Sequence, residues 1–161
     1  RLADAYRTDF PRALGEVGER DPLFDGAAEV IAALRQRPDL TLGIATGKSR
    51  RGVARLLAQE SWEGHFATIQ TADTHPSKPH PSMIETAMRE TGIGPEATVM
   101  VGDTTFDMEM ARNAGVGAIG VVWGYHAVER LRTSGAHAIV EAWGALPKAI
   151  AECLSRPGPP A

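Results

Sequence analysis

TVMVGDTTFDMEMARNAG, residues 98–115, contains a strand, a turn and a helix with nothing wasted between them. Thr98 to Val101 is a short apolar run and reads as a buried strand. Phe106, Met110 and Ala114 then fall on the inner side of a helix that Gly115 ends with a left-handed cap. Asp103 closes the strand, and Asp107 stands four residues on, in the first turn of the helix. One helical turn is about 3.6 residues, so that spacing turns both carboxylates toward the same strand edge.

Outward from this unit the same alternation continues. On the N-terminal side, Leu40 to Ala45 reads as a strand, Ser49 as the cap of a helix with Val53, Leu56 and Leu57 inside, and Phe66 to Gln70 as a weaker strand. Met83, Ile84, Ala87 and Met88 mark the next helix, with Pro81 near its first turn and Gly92 after its end. On the C-terminal side come a strand from Ala118 to Trp123, a short helix from Ala127 to Leu131, a strand from His137 to Val140 and a closing helix from Ala145 to Leu154. Val30, Ile31 and Leu34 belong to a helix that ends before Pro38, and residues 1–20 have helical spacing with a break near Pro11. Strands alternating with short helices predict an α/β fold: one parallel sheet, right-handed crossovers and helices on both faces. In such a sheet ligands bind beyond the carboxyl ends of the strands. The loops to inspect are therefore Thr46 to Lys48, Thr71 to Pro81, Gly102 to Asp107 and Gly124 to His126.

The 161 residues, 43% hydrophobic and 23% charged, suffice for one domain with its own core. The net charge of -3 disfavours nucleic acid as a partner. No apolar run approaches the roughly 20 residues of a membrane span. The single cysteine, Cys153, fits a reducing cytoplasm and reads as a small buried hydrophobe.

Two near-motifs fail on context. Gly115 to Gly120 matches G-x-G-x-x-G, but it follows a helix and leads into a strand, the reverse of what a dinucleotide fingerprint needs. Leu42 to Ser49 is one residue from a P-loop, with Leu42 where the first glycine belongs; a nucleotide-dependent kinase is kept as a remote alternative. What remains of the second is physical. Thr46, Gly47 and Ser49 at a helix N-terminus can present hydroxyl and amide donors to one phosphate.

Lys78 lies between Ser77 and Pro79, with Pro81 close behind, so its loop is stiff and extended. The chain has 14 Arg and 3 Lys. A lysine in a rigid loop at the ligand edge, where this chain usually chooses Arg, reads as a compact point charge for phosphate. Asp103 and Asp107 are acidic oxygens suited to Mg²⁺, although either could serve merely as a helix cap or a first-turn acid.

Taken in order, ATGK (45–48), SKPHPSM (77–83) and VGDTTFDMEMARNAG (101–115) resemble the haloacid dehalogenase superfamily, nearest to its phosphoglycolate-phosphatase-like branch. The resemblance implies a Rossmann-like three-layer α/β/α core. It implies a Mg²⁺-dependent phosphatase that hydrolyses a small-molecule phosphate monoester through an aspartyl-phosphate. By the same resemblance Thr46 and Gly47 would bind the phosphoryl group, Lys78 would neutralise it, Asp103 would ligate Mg²⁺ and Asp107 would support the metal. The partner implied is a small phosphorylated metabolite, with neither nucleic acid nor membrane.

The chain departs from the family at its start. The family's nucleophile motif, D-x-D-G-[TV] on a central strand, has no counterpart, because no D-x-D occurs anywhere in the chain. Residues 1–22 are read as a remnant of the helical cap and its linker, 23–154 as the core and 155–161 as a tail. The core is thus expected to lack its central strand and most of the cap. This chain alone is expected to be inactive, with a binding or regulatory module that has lost catalysis as the alternative. Unpaired backbone in the two strands beside the gap would cost about 1 to 3 kcal/mol per group. An upstream segment, a second polypeptide or a strand from a homodimer mate is therefore expected to fill it.

Asp73 is expected to cap a turn, His75 and His80 to be solvated loop residues, and Trp123 either to line the site or to belong to the core, with His126 at the surface.

Overall fold

The computed structural model describes residues 2–4, 23–124 and 126–156. Within them, six strands form one parallel sheet: β1 (Leu2–Asp4), β2 (Thr41–Ala45), β3 (Thr68–Gln70), β4 (Thr98–Gly102), β5 (Gly117–Val121) and β6 (Ala138–Val140). Their order across the sheet is β3-β2-β1-β4-β5-β6. The helices are α1 (Ala27–Arg35), α2 (Arg50–Glu60), α3 (Ser82–Thr91), α4 (Thr105–Ala114), α5 (Val128–Thr133) and α6 (Leu146–Leu154).

Strand alternation sorts the core into two layers. Leu42, Ile44, Val99, Val101, Ile119 and Val121 face one side, where they meet Val30, Ile31 and Leu34 of α1, Val53 and Leu57 of α2, and Ile150 and Cys153 of α6. Ala45, Met100 and Ala118 face the other, against Met83 and Ile84 of α3, Met108 and Ala111 of α4, and Leu131 of α5. Successive side chains of a strand point to opposite faces, so one apolar run such as Thr98 to Val101 feeds both layers.

The strands and helices read from residues 27 to 154 are present with ends shifted by a few residues at most. Ser49 accepts the Gly52 N–H at 3.0 Å, as an N-cap should. Gly115 is the left-handed C-cap of α4 at φ 75° and β5 follows it, which settles the reversed glycine motif. β2 runs through Ala45, leaving only residues 46–49 before α2, too short to wrap a triphosphate.

Two expectations are corrected. The centre of the sheet is not vacant: Leu2, Ala3 and Asp4 pair with Thr41, Leu42 and Gly43 on one side and with Thr98, Val99 and Met100 on the other. The requirement that led to the expected gap, backbone groups in need of partners, is met by the chain's own first residues in extended form rather than in a helix. The remainder of the expected cap remnant, residue 1 and residues 5–22, lies outside the described residues, as do 157–161 of the tail. Phe106 is the second correction. It is 49% exposed instead of facing inward. The buried face of α4 is carried by Asp107, Met108 and Ala111, three and four residues apart, together with Met110.

Cys153 is buried at 9% exposure, its sulfur filling the space above Gly117. Burial pushes its thiol up from the ordinary value, with the Arg156 guanidinium and a hydrogen bond from Ala118 working against the shift. The unfolded thiol ionises near about pH 8.5, the folded one higher, so above that pH the folded chain holds more protons and stability falls as pH rises. Thiolate absorbance near 240 nm, followed against pH in native and urea-unfolded protein, should therefore rise later in the native protein; coincident curves would contradict the burial argument.

Candidate active site

The sheet order turns at β1: β2 and β3 lie to one side of it, β4 to β6 to the other. Loops leaving β2 and β4 therefore diverge and open a crevice at the carboxyl edge. Thr46 follows β2 and Asp103 follows β4, so two of the site residues read from sequence flank this crevice.

Lys78 joins the two sides. Its Nζ donates to the Ala45 carbonyl at 3.1 Å and to Asp107 Oδ1 at 2.7 Å. The ammonium side chain is 8% exposed and the carboxylate 0%. An ion pair this deep is tolerated because its other polar atoms are also satisfied. Asp107 Oδ2 accepts from Asp103 N at 3.2 Å, Thr104 N at 3.1 Å and Thr104 Oγ1 at 2.9 Å. Thr104 is the N-cap of α4 and returns the bond from Asp107 N, closing a capping box. Asp107 is thus a first-turn acid and the partner of Lys78 at once. One oxygen fixes the helix start and the other fixes Lys78.

Asp103 is 2% exposed. Its carbonyl accepts from His126 N at 3.3 Å, and His126 Nδ1 accepts the Thr105 N–H at 2.9 Å, so the loop after β5 is laced to the loop after β4. Glycines shape the space around both acids. A Cβ at Gly124 would overlap the Asp103 side chain, and one at Gly102 would overlap that of Asp107. On the facing wall, Thr46 is 2% exposed and its Oγ1 accepts the Lys48 N–H at 3.1 Å. That bond turns the hydroxyl oxygen to the loop and leaves its proton to be donated outward. Gly47 beside it is exposed.

Among the described residues no three His, Cys, Asp or Glu side chains form a metal-holding group. The acids that could hold a hard cation such as Mg²⁺ at this edge are Asp103 and Asp107, both oxygens of Asp107 being already engaged by Lys78 and the start of α4. That ion keeps several waters and takes one or two carboxylates, with phosphate oxygens completing its shell.

Two residues stand differently from their sequence reading, Trp123 takes the second of its two readings, and Gly124 and Asp4 were passed over. Asp73 accepts the Arg50 N–H at 2.8 Å and so secures the start of α2 rather than a turn of its own. His75 is not solvated: Nδ1 lies 2.7 Å from Ser82 Oγ and Nε2 2.8 Å from Gln70 Oε1. Trp123 packs on the core and against Trp143, ring centroids 4.4 Å apart. Gly124 passed as a loop residue, and only its place one step from a strand end hinted at a close approach. Asp4 is a further acid at a strand end, yet its backbone pairs with Gly43 and Met100. That is three residues short of Thr46 and Asp103, about 10 Å at roughly 3.3 Å per residue.

The family model described as haloacid dehalogenase-like hydrolase matches residues 9–121. The chain belongs to this family. Haloacid dehalogenase-like relatives include the "Probable phosphatase IndB" of Dickeya dadantii, 39% identical over 121 residues, covering 74% of this chain and 52% of the relative. The phosphoglycolate phosphatase of Synechococcus elongatus is 35% identical over 115 residues, covering 71% and 53%. Among solved structures, that of a predicted phosphatase from Clostridium acetobutylicum superposes with a TM-score of 0.72 at 27% identity, covering 80% of this chain and 60% of that one. The chain therefore spans about half the length of the curated relatives it matches.

Two substitutions test the geometry. Gly124→Ala should lower stability by about 1 to 3 kcal/mol, because the added methyl must displace the Asp103 side chain. Lys78→Ala should cost about 3 to 5 kcal/mol by stranding the buried Asp107 carboxylate, and Lys78→Ala/Asp107→Asn should recover part of it. Urea denaturation of the wild type, both single variants of the pair, the double variant and Gly124→Ala reads both; additive losses for the pair would remove the coupling.

Proposed function

We propose that this chain carries the phosphoryl-handling half of a Mg²⁺-dependent phosphatase that hydrolyses a small phosphate monoester, phosphoglycolate or a similar ester, through an aspartyl-phosphate. The observation that carries the reading is Lys78, whose ammonium is fixed between the end of β2 and the first turn of α4. A cation held there faces both Thr46 and the acidic edge at Asp103.

In this reading the Thr46 hydroxyl and the Gly47 amide orient the phosphoryl group, and Lys78 offsets its charge as it passes between oxygens. Asp103 ligates the metal and Asp107 supports it, while also aiming Lys78. Mg²⁺ bound at these carboxylates supplies further charge neutralisation to phosphoryl oxygens. The nucleophile must be a carboxylate on the middle strand at the level of Thr46 and Asp103, and Asp4 lies below that level. On this reading the chain alone does not turn over a phosphate ester, and the position of Asp4 supports that. The substrate would be a free metabolite in a reducing cytoplasm, consistent with the one buried thiol. The same low position of Asp4 favours a second reading, a phosphate-binding module without catalysis.

Preceding this chain with a segment that carries D-x-D and takes the place of Leu2–Asp4 on the middle strand should give Mg²⁺-dependent release of p-nitrophenol from p-nitrophenyl phosphate. Asp103→Asn or Lys78→Ala should lower that rate by about 100-fold or more. Silence of the extended, folded protein would favour the binding module, and activity insensitive to both substitutions would remove the assigned roles.

A further inference from the structure

Lys78 sits in the connection between β3 and α3, and both ends of that connection are joined by one side chain. His75 touches Gln70, the last residue of β3, and Ser82, the first of α3. The contacts continue inward. Gln70 Nε2 donates to Thr68 Oγ1 at 2.9 Å, and Thr68 Oγ1 donates to Glu90 Oε1 at 2.8 Å, near the far end of α3.

Every donor in this chain of bonds is determined from one end. An ionised carboxylate only accepts, so Thr68 must give its proton to Glu90 and receive from the Gln70 amide nitrogen. The Gln70 oxygen is then turned to His75, whose Nε2 must carry the hydrogen. His75 Nδ1 is left as an acceptor for the Ser82 hydroxyl. Thr68 and Gln70 are 2% and 4% exposed, so water offers little replacement for a lost partner.

We propose that His75, in its Nε2–H form, is a positioning residue for Lys78. It fixes the separation of the strand and helix ends from which the lysine loop springs. Asn113 assists from α4, donating to the Pro79 carbonyl at 3.0 Å. With its ends and middle held, the loop delivers the ammonium to Ala45 and Asp107 without searching. The role in turnover rests on the reading of Lys78 as the phosphoryl-facing cation; the role in holding Lys78 does not.

The chain's three lysines make the test direct, since Lys78 need only be told from Lys48 and Lys148. In ¹⁵N-labelled protein, long-range ring correlations should show His75 protonated at Nε2. Hydrogen exchange at the Lys78 ammonium should be slow in the native protein. Replacing His75 with Ala should raise it about tenfold or more, as two hydrogen bonds no longer resist opening of the loop. His75→Gln, which can still donate to Gln70, should restore part of the protection, while Lys48 and Lys148 stay unchanged in every variant. Should His75→Ala fail to fold, Ser82→Ala cuts one arm and should raise Lys78 exchange in the same direction. A His75 ring protonated at Nδ1 instead, unchanged Lys78 exchange in the folded variants, or a rise shared by all three lysines would overturn the proposal. No substrate enters these measurements, so a failed phosphatase assay with Lys78 still protected sinks the functional reading and leaves the role of His75 standing.

Discussion

Everything at the carboxyl edge of this sheet is arranged around one buried ion pair. The Lys78 ammonium and the Asp107 carboxylate meet at 2.7 Å with almost no access to solvent. Two charges in such a place are stable only as part of a larger set of bonds. Asp107 therefore accepts from the backbone that starts α4, and Lys78 also donates to the last carbonyl of β2. The consequence is geometric. Strands on opposite sides of the topological turn are referred to each other by a single side chain, so Thr46 and Asp103 keep a fixed separation.

The same bonds divide the labour between two acids that look alike in sequence. Asp107 has one oxygen turned to the helix start and one to the lysine, which makes it chiefly an organiser. Asp103, one residue past β4, is buried and packs its side chain against the glycine of the neighbouring loop.

Residues 27–154 were legible because periodicity and punctuation agreed there: Ser49, Gly92 and Gly115 stop or start helices where the apolar spacing changes. Lys78, Thr46, Asp103 and Asp107 could be singled out since their loops fall at one edge of any parallel sheet. The first strand was misjudged because Leu2-Ala3-Asp4 is too short for alternation to register, and the next apolar residues repeat at helical intervals. Only the long-range demand of two neighbouring strands defines it. Phe106 misled by hydrophobicity: its spacing from Met110 is helical, but the capping box rotates Asp107 inward and carries Phe106 outward, where it lies beside His126 at 6.0 Å between ring centroids. His75 could not be read at all from local sequence, since its partners come from β3 and α3.

Gly26 opens α1 with φ at 87°, and a Cβ there would lie 2.7 Å from Trp143 Cδ1. Trp143 packs on Trp123, and the residue after Trp123 is the glycine that presses on Asp103. Steric constraint thus runs without interruption from the entrance of the core to the acidic edge of its crevice. A side chain at position 124 would therefore have to be met by a smaller one at 103, and volume added at 143 or 123 would be felt at both ends of the line.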